Sequence, residues 1–254
     1  MATQASSRVP SAAAKGKHGH SLISDAKFRE LYELTLRLRL GTRLANGHGP
    51  SLAGRAAALA AVGAELRSGD TLVADEPVPL AIHLTETAAP FAERVIAAIA
   101  RATADRLKKN ARVTVVFCSG AELLREARVL AGAAKLPVLF VEDASAAAND
   151  PKSPVRRKAA PAADLPITIP VDAHDVIALY RVAHESIVRA REGSGPTRIL
   201  CMPWPSRNEA AEDAVEHLEH WLEARGLPAQ AWRSEILAEA GTAANDEKVL
   251  TEVL

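Results

Sequence analysis

Aromatic side chains are scarce, at 4% of the 254 residues. A surface that stacks nucleic-acid bases needs such rings, so their shortage argues against that role. An excess of charge of one sign is missing too. Lys plus Arg and Asp plus Glu number 31 each, which leaves no electrostatic footprint for nucleic acid or an anionic membrane surface. Cysteine is reduced to Cys118 and Cys201, each at the end of an apolar run. Two buried free thiols in a reducing cytoplasm are expected, rather than a structural disulfide. No apolar run approaches the roughly 18 residues of a membrane-spanning helix, although 48% of the residues are hydrophobic. These absences predict a soluble, cytoplasmic chain able to bury one large core.

What is present is clearest over residues 111–145. ARVTVVF at 111–117 is a short β-branched run, as expected of a strand buried on both faces. Cys118-Ser119-Gly120 breaks it. Residues 121–135 carry Leu123, Leu124, Ala127, Leu130, Ala131 and Ala134 at helical steps. Leu136-Pro137 ends that helix, and a second buried strand runs from Val138 to Glu142-Asp143. Strand, small-residue turn, helix and strand make a βαβ unit with parallel strands. Ligands of such sheets lie just beyond the strands' carboxyl ends, which here carry Cys118-Ser119-Gly120 and residues 142–145.

Similar alternation continues on either side. Ser24-Asp25 is a good N-cap for a leucine-rich helix. Asn46-Gly47-His48-Gly49-Pro50 is a turn by composition, and residues 52–66 read as a small-residue helix. Residues 71–74, 167–169 and 197–202 read as short strands, and 91–107 and 176–191 as helices, with Asp172 or His174 as cap of the latter. Residues 208–254 are helical and charged. The fold class is therefore α/β, a mainly parallel sheet flanked by helices with a helical C-terminal tail. Its expected division is a disordered basic tail at 1–20, an α/β domain at 21–203 and a helical extension at 204–254.

Most chemistry-bearing residues have a plain reading. His18 and His20 in the tail, and His48 between glycines, are expected to be solvated. Arg156-Arg157-Lys158, in a Pro-rich stretch over 146–166, reads as a surface run rather than a phosphate site. His217 and His220 are close enough to share a metal, but no carboxylate pattern accompanies them. Cys118 reads as structural rather than as a reactive thiol.

The order of segments resembles a particular family. LYELTLRLRLGTRLA, AGRAAALAAVGAELRSGD, AAKLPVLFVED, IPVDAHDVIALYRVAHESIVRAREGSGPTRILCM and EDAVEHLEHWLEARGL follow one another as do the corresponding segments of the alpha subunit of thiamine-diphosphate-dependent 2-oxo acid dehydrogenases of the pyruvate and branched-chain type. The resemblance covers the chain after residue 20 and implies that family's thiamine-diphosphate-binding fold. It also implies a beta-type subunit or self-association as partner, while the composition speaks against nucleic acid and membrane.

The family holds thiamine diphosphate and Mg²⁺ through Gly-Asp-Gly at one strand end and Asn-Asn further on. Hard cations of that kind need oxygen ligands, preferably with an anionic one among them. Here the first motif reads Cys118-Ser119-Gly120, and the second falls on Ala144-Ser145. The resemblance thus places the degenerate cofactor positions at Ser119, Gly120, Ala121 and Ser145, with no catalytic residue and no metal ligand. Glu142 and Asp143 are nearby, but a carboxylate one residue off on a strand end is expected to point to the opposite face. The family's Tyr-Arg falls on Glu76-Pro77, its Gln-Glu on Arg55-Ala56, and its late His-Gly-His loop has shrunk to residues 203–207. The expectation is an alpha-subunit relative without its own cofactor, serving structure or assembly, with the 52–66 helix at a subunit contact. The alternatives are an active subunit that decarboxylates a 2-oxo acid and passes the acyl group to a lipoyl carrier, or a binding protein for another small ligand.

Overall fold

The computed structural model describes residues 23–46, 53–75, 78, 89–119, 124–144, 165–202 and 213–252, the side chains of 42–46, 53, 54 and 241–252 aside. In chain order the elements are α1 (Asp25–Asn46), α2 (Ala53–Gly63), β1 (Thr71–Ala74), α3 (Phe91–Leu107), β2 (Thr114–Cys118) and α4 (Arg125–Ala133). There follow β3 (Val138–Asp143), β4 (Ile167–Asp172), α5 (Val176–Arg191), β5 (Thr197–Met202), α6 (Ala214–Glu223) and α7 (Ala229–Glu252). The five strands form one parallel sheet in the order β1-β2-β3-β5-β4, so the chain is α/β as its alternation predicts.

Strand side chains alternate between two apolar layers, as the pleat requires. Val115, Phe117, Leu139, Val141, Ile199 and Cys201 face the larger layer with α1, α2, α5, α6 and α7. Val73, Val116, Cys118, Val138 and Phe140 face a smaller one with α3 and α4. The central strands are covered on both sides, which is why they are nearly all apolar. Among the described residues β4 is an edge strand, pairing with β5 alone, and it carries Pro170. A residue without an N–H is tolerated at such an edge, and the strand runs on to Asp172, past the 167–169 read from the sequence.

Caps explain several boundaries. The Ser24 hydroxyl accepts a hydrogen bond from the Lys27 N–H at 3.2 Å and opens α1. For α5 the cap is Asp175, which accepts from the Ala178 N–H at 2.8 Å, not Asp172 or His174 as the sequence predicts. Asp172 instead accepts from the His174 N–H at 3.0 Å and shapes the turn before the cap. α3, α4, α5 and α6 all end in the same paired turn, with Lys109, Lys135, Gly193 and Gly226 in the left-handed region.

The small-residue helix α2 is corrected in role. Residues 56–62 are all buried, within the same apolar layer as Leu31, Val176, Leu179 and Ala183 of α1 and α5. Its alanines let helices approach closely inside this chain, so α2 is core and is not offered as a subunit contact. The C-terminal helices join the same layer through Leu218, Leu222, Trp232 and Ile236. Tyr32 of α1 donates to Glu219 of α6 at 2.6 Å, and Arg233 of α7 donates to the same carboxylate at 2.9 Å. No described helix is long and apolar enough to cross a membrane.

Candidate functional site

The carboxyl ends of β1, β2 and β3 stand side by side because the strands are parallel and in register, Ala74 opposite Phe117 and Cys118 opposite Glu142. Three residues leave those ends: Asp75 after β1, Ser119 after β2 and Asp143 closing β3. A fourth, Arg55, reaches them from α2.

Arg55 is 4% exposed, and its two terminal nitrogens donate to the two oxygens of Asp75 at 3.1 Å each. This fork-to-fork pairing is the strongest geometry available to a guanidinium and a carboxylate. The Arg55 Nε also lies 3.6 Å from Asp143, and the guanidinium carbon sits 5.7 Å from the Phe117 ring centre. Ser119 completes the cluster: its backbone N–H and its hydroxyl both donate to Asp75, at 2.7 and 2.8 Å. One guanidinium thus faces two carboxylates.

Burial alone would raise the pKa of Asp75. The hydrogen bonds from the Ser119 N–H, the Arg55 guanidinium and the Ser119 hydroxyl outweigh it and hold the carboxyl below its ordinary value. A carboxylate so stabilised is a poor general base near neutral pH, so it does not activate the Ser119 hydroxyl that donates to it.

Of the positions predicted to touch a cofactor, Ser119 is at the site, turned toward Asp75. Gly120, Ala121 and Ser145 lie outside the described residues, as do Glu76-Pro77, residues 203–207, His18, His20, His48 and Arg156-Arg157-Lys158. Asp143 corrects an expectation: it joins the strand-end cluster instead of pointing away from it. Glu142 takes the opposite face, where it is buried between Arg128 and Arg198. The sequence signal for this cluster is faint, because Arg55 lies 20 residues from Asp75 and only the fold brings both to Asp143. Cys118 and Cys201 are buried free thiols. Burial, followed by the nearby charges of Asp143 and Glu142, pushes the Cys201 thiol far up, so it is inert. Among the described residues no three His, Cys, Asp or Glu side chains are grouped to hold a metal, His217 and His220 included.

Among the described residues, the Arg55 guanidinium, which repels Mg²⁺, sits on the two carboxylates that a hard cation would use.

No family model matches the chain. Over 60 residues it is 40% identical to subunit alpha of the acetoin:2,6-dichlorophenolindophenol oxidoreductase of Bacillus subtilis, a match covering 20% of this chain and 18% of that protein. Among solved structures, transketolase from Campylobacter jejuni is similar with a TM-score of 0.43 and 14% identity, over 82% of this chain and 44% of that one. The chain thus matches less than half the length of either protein, and what it resembles over those 60 residues is an oxidoreductase alpha subunit.

Proposed function

We propose that this chain is a non-catalytic relative of the alpha subunits of thiamine-diphosphate-dependent 2-oxo acid dehydrogenases, of the pyruvate and branched-chain kind, acting in the cytoplasm as a structural or assembly subunit. The observation that carries the reading is the Arg55–Asp75 fork at the strand ends, tied to Ser119 and flanked by Asp143. A polar network that satisfies itself in this way leaves the strand ends with little to offer a cofactor. The short match to an oxidoreductase alpha subunit supports a beta-type partner, with self-association as the other arrangement. Because α2 is consumed in the core, the association surface lies elsewhere on the chain. An active subunit, or a binder of another small ligand at this point, needs polar groups that face outward, whereas Ser119 donates its hydroxyl to Asp75.

The test mixes the purified chain with a beta-type subunit and follows sedimentation together with thiamine-diphosphate-dependent turnover of 2-oxo acids. A complex without turnover is the expected result. Cofactor-dependent turnover with this chain as the sole alpha subunit contradicts the reading, and so does a chain that associates neither with the beta-type subunit nor with itself.

A further inference from the structure

Arg55 is an unusual residue for the face of a helix made otherwise of alanine, glycine, leucine and valine. It is 4% exposed and lies between carboxylates from two different strands, Asp75 and Asp143. A buried guanidinium needs its charge met, and removing it would take a shared counter-ion from two partly buried carboxylates. Those two are 19% and 11% exposed, and Asp75 also receives two hydrogen bonds from Ser119. The arrangement has the charge pattern of a cation site: anionic oxygens from the ends of β1 and β3, the strands on either side of β2, meet at one positive group.

We infer that Arg55 is a built-in cation, a side chain that fills the strand-end carboxylate cleft from within and shuts it to divalent metal ions. The inference deepens the non-catalytic reading and rests on it. The wild-type cleft is closed because its cation is covalently part of the chain and cannot dissociate. Taking that cation away exposes Asp75 and Asp143 to solvent ions, and oxygen-seeking metals such as Mn²⁺ enter where the guanidinium lay.

The probe is Mn²⁺ alone, with binding read by loss of the free-ion electron paramagnetic resonance signal. R55Q keeps the first three side-chain carbons of Arg55 and a polar end, and removes its charge. It is expected to bind Mn²⁺ at least about tenfold more tightly than the wild type, a difference of about 1.4 kcal/mol, and R55Q/D75N is expected to lose that gain. A folded R55Q with wild-type Mn²⁺ affinity overturns the inference, as does an R55Q/D75N that keeps the gain. The wild-type protein supplies a second measurement that needs no variant to fold. Mn²⁺ should leave the amide resonance of Ser119 sharp, and selective broadening there shows an open cleft and overturns the inference. Failure of the non-catalytic reading looks different, because it appears as thiamine-diphosphate binding or turnover by the wild type. An R55Q that binds no Mn²⁺ says nothing against that reading.

Discussion

Asp70 and Arg191 meet at 2.6 Å between the turn that enters β1 and the end of α5, both side chains buried. The same carboxylate accepts the backbone N–H of Arg67 at 2.8 Å and that of Val113 at 2.8 Å. One side chain therefore fastens the exit of α2, the approach to β2 and the last turn of α5. Gly69 precedes it at φ +92°, in a region that an L side chain enters only with strain. D70N keeps the size of Asp70 but leaves Arg191 without its counter-ion. Breaking a buried pair from one side costs about 3–5 kcal/mol. Urea unfolding of D70N should show a lower midpoint with an unchanged slope; an unchanged midpoint contradicts this account of Asp70.

The pH dependence of stability carries a signature of Asp75. Its pKa is depressed in the folded chain, so its contribution is fully present above the ordinary aspartate value of about 3.9 and is lost as pH falls through the folded value. D75N has no such term. The stability gap between wild type and D75N should hold steady from neutral pH down to about pH 5 and shrink below about pH 4. Denaturant unfolding across that range measures it, and a gap that does not narrow contradicts the Ser119 and Arg55 hydrogen bonds as its source.

Both tyrosines of the chain should resist ionisation. Burial first, then hydrogen bonds to Glu219 and Glu65 respectively, raise the pKa of Tyr32 and Tyr180 well above the ordinary value. The stabilisation from the neutral phenols is complete below about pH 10 and is lost as pH rises toward the folded values. An alkaline titration followed in the ultraviolet should show no tyrosinate while the protein stays folded, and both ionisations together with unfolding. A normal titration of either ring in the folded protein contradicts the corresponding hydrogen bond.

Helix ends offer a paired test of backbone strain. Lys135 sits at φ +48° and Gly226 at φ +74°, in equivalent turns after α4 and α6. A Cβ at Gly226 meets nothing within 4 Å, so G226A should cost only the left-handed strain, about 1 kcal/mol. K135G removes that strain and should stabilise by about 0.5–1 kcal/mol. Melting temperatures should therefore move in opposite directions, by roughly 2–4 °C per kcal/mol for a chain of this size. Movement in the same direction contradicts strain as the cause.

Much of this architecture was legible before any coordinates. β1, α3, α5 and β5 fall on the residue ranges that periodicity and turn residues predict, because apolar runs such as LVA and ILC, like VVFC in β2, mark buried strands. The two buried thiols follow from the same runs. Boundaries were less legible where a tertiary pairing extends an element: β4 continues through Pro170 because β5 pairs with it to Met202. The site was legible as a place and not as chemistry. Ser119 and the strand ends follow from the βαβ pattern, whereas Arg55 presents itself only as a charged residue on an alanine helix. Nothing local to it names Asp75 and Asp143 as partners. The small-residue character of α2 was visible too, but alanines that admit a neighbouring helix do not say whether that helix belongs to the same chain.

Thermal unfolding of the purified full chain, with and without thiamine diphosphate and Mg²⁺, tests the central claim most directly. A ligand at a hundred times its dissociation constant stabilises by about 2.7 kcal/mol, which for a chain of this size raises the melting temperature by roughly 5–10 °C. The account predicts no rise, because Arg55 already occupies the strand-end carboxylates. A rise of that size contradicts it and returns the chain to the cofactor-dependent enzymes.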